Sequence, residues 1–271
     1  MSQKTLKAMG LDAGYGERAV LRGLDFEVPV GQITGIVGAN ACGKSTLLRS
    51  LSRLLKPARG QVLLEGASIH AMAPKALARE LGLLPQSPIA PDGITVLDLV
   101  GRGRHPHQGL LSRWSSRDET AVAAALAATG TADLADRDVD ELSGGQRQRV
   151  WIAMALAQET GILLLDEPTT FLDINHQIEV LDLLRDLNQH RGTTIVMVLH
   201  DLNLAARYCD WLAAMVDGQV AATGPAEAIL TPELVRRVFG LESRVMRDPV
   251  SHRPMMIPIG RHGVLSGADP D

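Results

Sequence analysis

Apolar positions recur along this chain in two rhythms, and the changes between them outline its architecture. Residues 6–15, 19–28 and 61–66 read as antiparallel strands broken by Gly14, Gly16, Gly23 and Gly31. Residues 33–37 form a buried strand that feeds a glycine-rich turn. Residues 44–55 then carry Leu47, Leu48, Leu51 and Leu54 at helical spacing and stop before Pro57. From Thr95 to about Leu142 the strand signal disappears. Residues 96–100 and the alanine-rich 118–130 are helical, and a polar stretch with proline and glycine, 101–116, lies between them. After Gly145 the pattern alternates again: a helix, a strand at 161–165, a helix at 175–190 and a strand at 193–199. From Leu212 a strand-turn-strand forms around Asp217-Gly218, followed by a helix opened by Thr231-Pro232-Glu233. Such alternation predicts an α/β fold: a largely parallel sheet, an N-terminal antiparallel β subdomain and an inserted α-helical subdomain.

Composition narrows this picture without changing it. At 271 residues and 45% hydrophobic content the chain can bury one large domain, which excludes global disorder. A net charge of −4 lacks the basic excess of a nucleic-acid binder, so no nucleic-acid partner is expected. Two cysteines, Cys42 and Cys209, are too few for a disulfide scaffold; they read as packing residues in a reducing cytoplasm. The segment from Met1 to Thr5 lacks the apolar core of a signal peptide, and the longest apolar runs are far too short to cross a bilayer. The expectation is a soluble protein that a partner holds wherever it works at a membrane.

The chemistry lies in three motifs. Gly38-Ala39-Asn40-Ala41-Cys42-Gly43-Lys44-Ser45 fits the phosphate-binding loop, with a buried strand before it and a helix after it. Backbone N–H groups and the helix N-terminus then converge on nucleotide phosphates. Lys44 is expected to reach the β and γ phosphates and the Ser45 hydroxyl to sit on Mg²⁺. The apolar run ending in Asp166 and Glu167 is the second motif. Strand alternation turns these carboxylates in different directions, so Asp166 can join the metal shell while Glu167 faces a water aligned on the γ phosphate. Acidic strand ends are commonly just solvated; a phosphate loop in the same chain tips the balance. The third, Leu142-Ser143-Gly144-Gly145-Gln146, opens a helix with a serine and paired glycines, a second phosphate-binding device that points to a neighbour's nucleotide.

Together these motifs resemble the ATP-binding cassette ATPases over nearly the whole chain. Leu142 to Gln146 matches the family signature unaltered, Gln86 sits at the glutamine loop, and Leu172-Asp173 matches the aspartate loop. His200 matches the switch histidine, and Tyr15 lies where the family keeps an aromatic to stack on adenine. The resemblance implies a P-loop NTPase core, residues 1–271 forming a single nucleotide-binding domain with a helical insert at about 90–150 and a C-terminal extension at about 240–271. It implies ATP and Mg²⁺ as cofactors. Tyr15, Gly38, Ala39, Asn40, Ala41, Cys42, Gly43, Lys44, Ser45 and Thr46 would hold the nucleotide on one side, and Ser143, Gly144, Gly145, Gln146 and Asp173 on the other. Ser45, Gln86 and Asp166 would surround the metal. Glu167 would act as general base or water-orienting group, His200 would contact the γ phosphate, and Gln86 would link metal and water to the helical insert. The family usually has glycine where this chain has Ala41, and often proline where it has Ala39. A non-glycine residue held at positive φ costs about 1 kcal/mol, so Ala41 has either a tolerated conformation or a strained one.

A finer resemblance is to the ATPase subunits of ferric-siderophore importers, particularly the enterobactin-type branch. It is carried by Val100-Gly101-Arg102-Gly103-Arg104-His105-Pro106-His107-Gln108, by Glu167 to Gln177, by Asp248-Pro249-Val250 and by Pro258-Ile259-Gly260-Arg261. This implies a head-to-tail homodimer or an equivalent cassette partner, integral membrane permease subunits touched by the helical insert, and an extracytoplasmic substrate-binding protein acting indirectly. The place of work would be the cytoplasmic face of the cell membrane. Haem and cobalamin importer subunits share much of the pattern. A non-transport cassette in DNA repair or translation would carry a long coiled coil or a second cassette, and a simple phosphoryl-transfer kinase would have no use for Leu142 to Gln146. Residues 102–107 otherwise read as a solvated polar loop; His105 and His107 are too few for a metal site, and Trp114 and Trp211 read as core or partner contacts.

Overall fold

The computed structural model describes residues 4–109 and 114–260. Strands β1 (Leu6–Tyr15) and β2 (Arg18–Val28) form an antiparallel hairpin, β3 (Ile33–Gly38) leaves for a second sheet, and β4 (Arg59–Leu64) and β5 (Ala67–Ser68) return to the first. That sheet runs β2-β1-β4-β5. The second sheet has six strands in the order β10-β9-β3-β8-β7-β6, comprising β6 (Leu81–Leu84), β7 (Ile162–Leu165), β8 (Thr194–Val198), β9 (Trp211–Val216) and β10 (Gln219–Gly224). Its neighbours are parallel except for the β9–β10 hairpin, which turns at Asp217-Gly218.

Helices occupy the crossovers. α1 (Lys44–Leu51) follows β3 and α2 (Pro74–Ala78) precedes β6. Between β6 and β7 lies the helical insert: α3 (Val96–Gly101), a 3₁₀ helix over Arg102–His107, α4 (Ser116–Ala128) and α5 (Gly144–Ala157). α6 (Ile174–Arg191) joins β7 to β8, and α7 (Leu202–Tyr208) joins β8 to β9. α8 (Ala226–Ile229), α9 (Pro232–Phe239) and a hairpin of β11 (Ser243–Arg247) and β12 (Pro254–Pro258) complete the chain.

The central strands are covered on both faces, as parallel strands normally are. Alternate residues therefore feed two cores: Ile195 and Met197 of β8 join the helical insert and α6, while Val196 and Val198 join α1 and the antiparallel sheet. Among the described residues no helix is long and apolar enough to cross a membrane.

Two expectations are corrected, the end of α1 and the nature of the 102–107 stretch. α1 stops at Leu51 rather than 55, because Arg53 enters the left-handed region at φ 65 and donates from Nη1 to the Met72 carbonyl at 2.8 Å. The polar stretch 102–107 is no solvated loop. Arg104 within it is 1% exposed, donates to Asp118 and to Glu159 at 2.8 Å each, and also donates to the Ala157 carbonyl. His107 donates from Nε2 to the Gln158 carbonyl at 2.7 Å, which leaves that nitrogen no lone pair for a metal. Cys42 and Cys209 are buried and unbridged, and burial pushes the Cys209 thiol up. Trp114 lies against Gly101, and Trp211 opens β9 half-buried. Of the tail motif, Arg261 lies outside the described residues.

Candidate functional site

The phosphate loop is shaped by what lies above it. Gly43 caps α1 at φ 108, a backbone conformation that side chains rarely adopt, and it packs beneath Leu21 of β2, whose Cδ2 would lie 2.9 Å from a methyl group there. Lys44 is buried and folds back over the loop, its Nζ donating to the Gly38 and Ala39 carbonyls at 2.9 Å each. Ala41 sits at φ 62, so the strained alternative is the one the loop adopts. Cys42 is held beneath the loop by its carbonyl, which accepts from Gly218 N at 2.9 Å; burial raises its thiol pKa, against the opposing charge of Lys44.

The paired carboxylates do diverge. Asp166 is 3% exposed and accepts from Ser45 Oγ at 2.9 Å; burial raises its pKa, and the Ser45 hydrogen bond opposes that rise. Glu167 turns the other way, at φ 56. Its carboxylate accepts from Gln86 Nε2 and from Thr170 Oγ1 (3.0 Å), and pairs with His200 Nε2 at 2.7 Å. Strand order explains the meeting. β6, β7 and β8 are parallel neighbours, with Leu84 opposite Leu165 and Leu165 opposite Met197, so the residues just past each strand converge at one sheet edge. Thr170 was not foreseen; its only signal is its place three residues after Glu167, one turn along.

A cleft of about 350 Å³ opens over this edge, lined by Tyr15, Arg18, Val20, Glu167 and His200 together with Asn40, Ala41 and Gly43 to Thr46 of the phosphate loop and the start of α1. Tyr15 is 47% exposed at its rim, and its hydroxyl accepts from Arg49 Nη1 at 3.2 Å. Ser45 and Asp166 present the hard oxygen donors that suit Mg²⁺. Among the described residues no group of three or more His, Cys, Asp or Glu could hold a metal by itself.

Ser143, Gly144, Gly145 and Gln146 do not line this cleft. Ser143 caps α5 in a reciprocal capping box: its Oγ accepts from Gln146 N at 3.3 Å, and Gln146 Oε1 accepts from Ser143 N at 3.1 Å. Asp173 caps α6, accepting from His176 N at 3.0 Å, and its carboxyl is held below the usual range by the backbone and ring donors of His176. One chain therefore brings together Gly38 to Thr46, Gln86, Asp166, Glu167 and His200, and leaves the Ser143 turn elsewhere.

A profile of the ABC transporter family matches residues 21–170. With this fold and this phosphate cleft, the chain belongs to that family as one of its ATP-binding, ATP-hydrolysing cassettes. It is similar to the petrobactin import ATP-binding protein of Bacillus anthracis, at 54% identity over 96% of this chain and 95% of that one. It is also similar to the ferric enterobactin transport ATP-binding protein of Escherichia coli K12, at 53% identity over 94% of each chain. Among solved structures, an inward-facing ABC transporter assigned to the metal-chelate type superposes with a TM-score of 0.82 at 30% identity, covering 96% of this chain and 98% of that one.

Proposed function

We propose that this chain is the ATP-hydrolysing subunit of an importer that takes up a ferric siderophore through a separate membrane permease, working at the cytoplasmic face of the cell membrane. The observation that carries the mechanism is the separation of two phosphate devices. The cleft is lined by residues of the phosphate loop, Asn40, Ala41, Gly43, Lys44 and Ser45, while the Ser143 turn, closed on itself by its capping box, is not part of that lining. A second copy, or an equivalent cassette, docked head to tail would set each Ser143 turn on the other's nucleotide. Relatives named for petrobactin and ferric enterobactin support the cargo class.

In this scheme Tyr15 stacks on the adenine, and Lys44 exchanges its two carbonyl partners for the β and γ phosphates. Glu167 accepts a proton from the attacking water, its carboxylate fixed by Gln86, Thr170 and His200. Mg²⁺, held by Ser45, Gln86 and Asp166, would supply charge neutralisation on the phosphates. His200 meets the γ phosphate once the dimer closes. The helical insert carries closure to the permease, and an extracytoplasmic binding protein delivers the chelate on the other side.

Two measurements test this. A deletion strain should lose growth on a defined ferric siderophore as sole iron source; loss on haem or cobalamin with siderophore use intact overturns the cargo. The Ser143→Arg protein should bind ATP normally yet fail to form an ATP-dependent dimer, and full hydrolysis by a lone monomer refutes the composite site.

A further inference from the structure

Gly145, in the turn opened by Ser143, has a neighbour from another element. A methyl group at position 145 would lie 2.3 Å from Cδ2 of His176 and 2.8 Å from its Nε2, so the imidazole fills the space a side chain would take. The same ring donates from Nδ1 to Asp173 Oδ1 at 2.7 Å, the oxygen that also caps α6. A second tie lies beside it: Arg149 of α5 pairs with Glu179 of α6 at 3.1 Å, and Glu179 is steadied by Asn175 Nδ2 at 2.9 Å. The start of α5 and the start of α6 are thus joined at two places, one packed and one ionic.

We propose that His176 is a positioning residue for the composite site: its ring sets the spacing and tilt between the Gly145 turn and the Asp173 carboxylate, so both arrive on the second copy's nucleotide as one rigid surface. The inference rests on the head-to-tail dimer proposed above. His176 itself touches no nucleotide in this scheme; it acts through Gly145 on one side of its ring and Asp173 on the other. The ring has two jobs, and different substitutions separate them. His176→Ala removes both bulk and donor. His176→Asn keeps an N–H near the position of Nδ1 and part of the bulk, whereas His176→Leu keeps bulk without a donor.

The test combines each variant with Glu167→Gln and measures ATP-dependent dimerisation by light scattering, with ATP affinity of the monomer and thermal melting followed in parallel. With Glu167 intact, kcat and KM are measured. His176→Ala should raise the ATP concentration needed for dimerisation, and lower kcat, by about tenfold or more, the scale expected when reacting groups are misplaced by a fraction of an ångström. Monomer affinity and melting should stay near those of the parent, and His176→Asn should recover more of the loss than His176→Leu. Dimerisation of His176→Ala at the parent's ATP concentration, or equal recovery by Asn and Leu, overturns the assignment. If the Glu167→Gln parent itself fails to dimerise with ATP, the composite site fails and not the role of His176 within it.

Discussion

Arg104 and Asp118 form an ion pair at 2.8 Å with both side chains almost wholly shielded from water. Asp118 also accepts from Ser115 Oγ at the start of α4, and Arg104 reaches on to Glu159 beyond the end of α5. The pair therefore stitches three pieces of the helical insert together. Removing one member of a buried pair strands the other, so Asp118→Asn should cost about 3 kcal/mol, measurable by urea denaturation. Arg104→Met, which removes the charge with its packing partly kept, should cost less than Arg104→Ala.

The same carboxyl gives a pH signature. The Ser115 hydrogen bond, then the Arg104 hydrogen bond, lower the Asp118 pKa to about 2. A folded-state pKa below the unfolded one means stability that is fully present above the ordinary carboxylate range and lost as pH falls through the folded value. Between pH 4 and 2 the wild-type protein should lose more stability than Asp118→Asn does. Parallel acid-denaturation profiles for the two proteins would contradict this.

Ala41 at φ 62 is strained where glycine would not be. Ala41→Gly removes a left-handed penalty of about 1–2 kcal/mol and adds a smaller loss from a freer unfolded chain. The expected outcome is a net gain of roughly 0.5–1 kcal/mol, read as a small rise in melting temperature. A lower melting temperature would mean that the loop derives something specific from the Ala41 methyl group.

Tyr15 allows its two surfaces to be told apart. If the ring stacks on adenine, Tyr15→Ala should weaken ATP binding by roughly three- to tenfold, while Tyr15→Phe, which loses only the contact with Arg49, should be near neutral. Equal losses in both proteins would assign the effect to the hydroxyl instead.

Asn203 is bonded to the C-terminal hairpin at both ends of its amide: Nδ2 donates to the Met256 carbonyl at 3.1 Å and Oδ1 accepts from Met256 N at 2.7 Å. It sits one turn past His200, on the helix that Asp201 caps. Asn203→Ala should loosen the hairpin by about 1–2 kcal/mol. Hydrogen exchange should show faster exchange at Met256 than at the amides of β8.

Much of this was legible because it is contiguous. The phosphate loop, the helix start at Ser143 and the Asp166-Glu167 pair are short runs whose placement follows from residue type and flanking period. What could not be read is what strand order creates. Nothing local brings Gln86 to Glu167, which are joined only because β6 lies beside β7. Arg104 was hidden by its company: set among Gly103, His105 and Pro106 it looks solvated, and its partners lie 14 and 55 residues away. α2, β6 and α7 are too short for either period to declare itself. The C-terminal hairpin lacks clean alternation, since three of its residues in a row, Pro254 to Met256, are half-buried.

The helical insert has a mechanical consequence. Its longest member, α5, spans 14 residues, and at its far end Gln158 is tied to the core through the carbonyls of Ala78 and Leu81. Ser143 stands at the opposite end, about 22 Å away along the axis. The start of α5 is tied as well, by Gly145 packed against His176 and by Arg149 paired with Glu179, so a tilt of about 10° near Gln158, which would carry the Ser143 turn through roughly 4 Å, must move the start of α6 with it. Any displacement of the Ser143 turn is therefore a displacement of the α5 and α6 starts together.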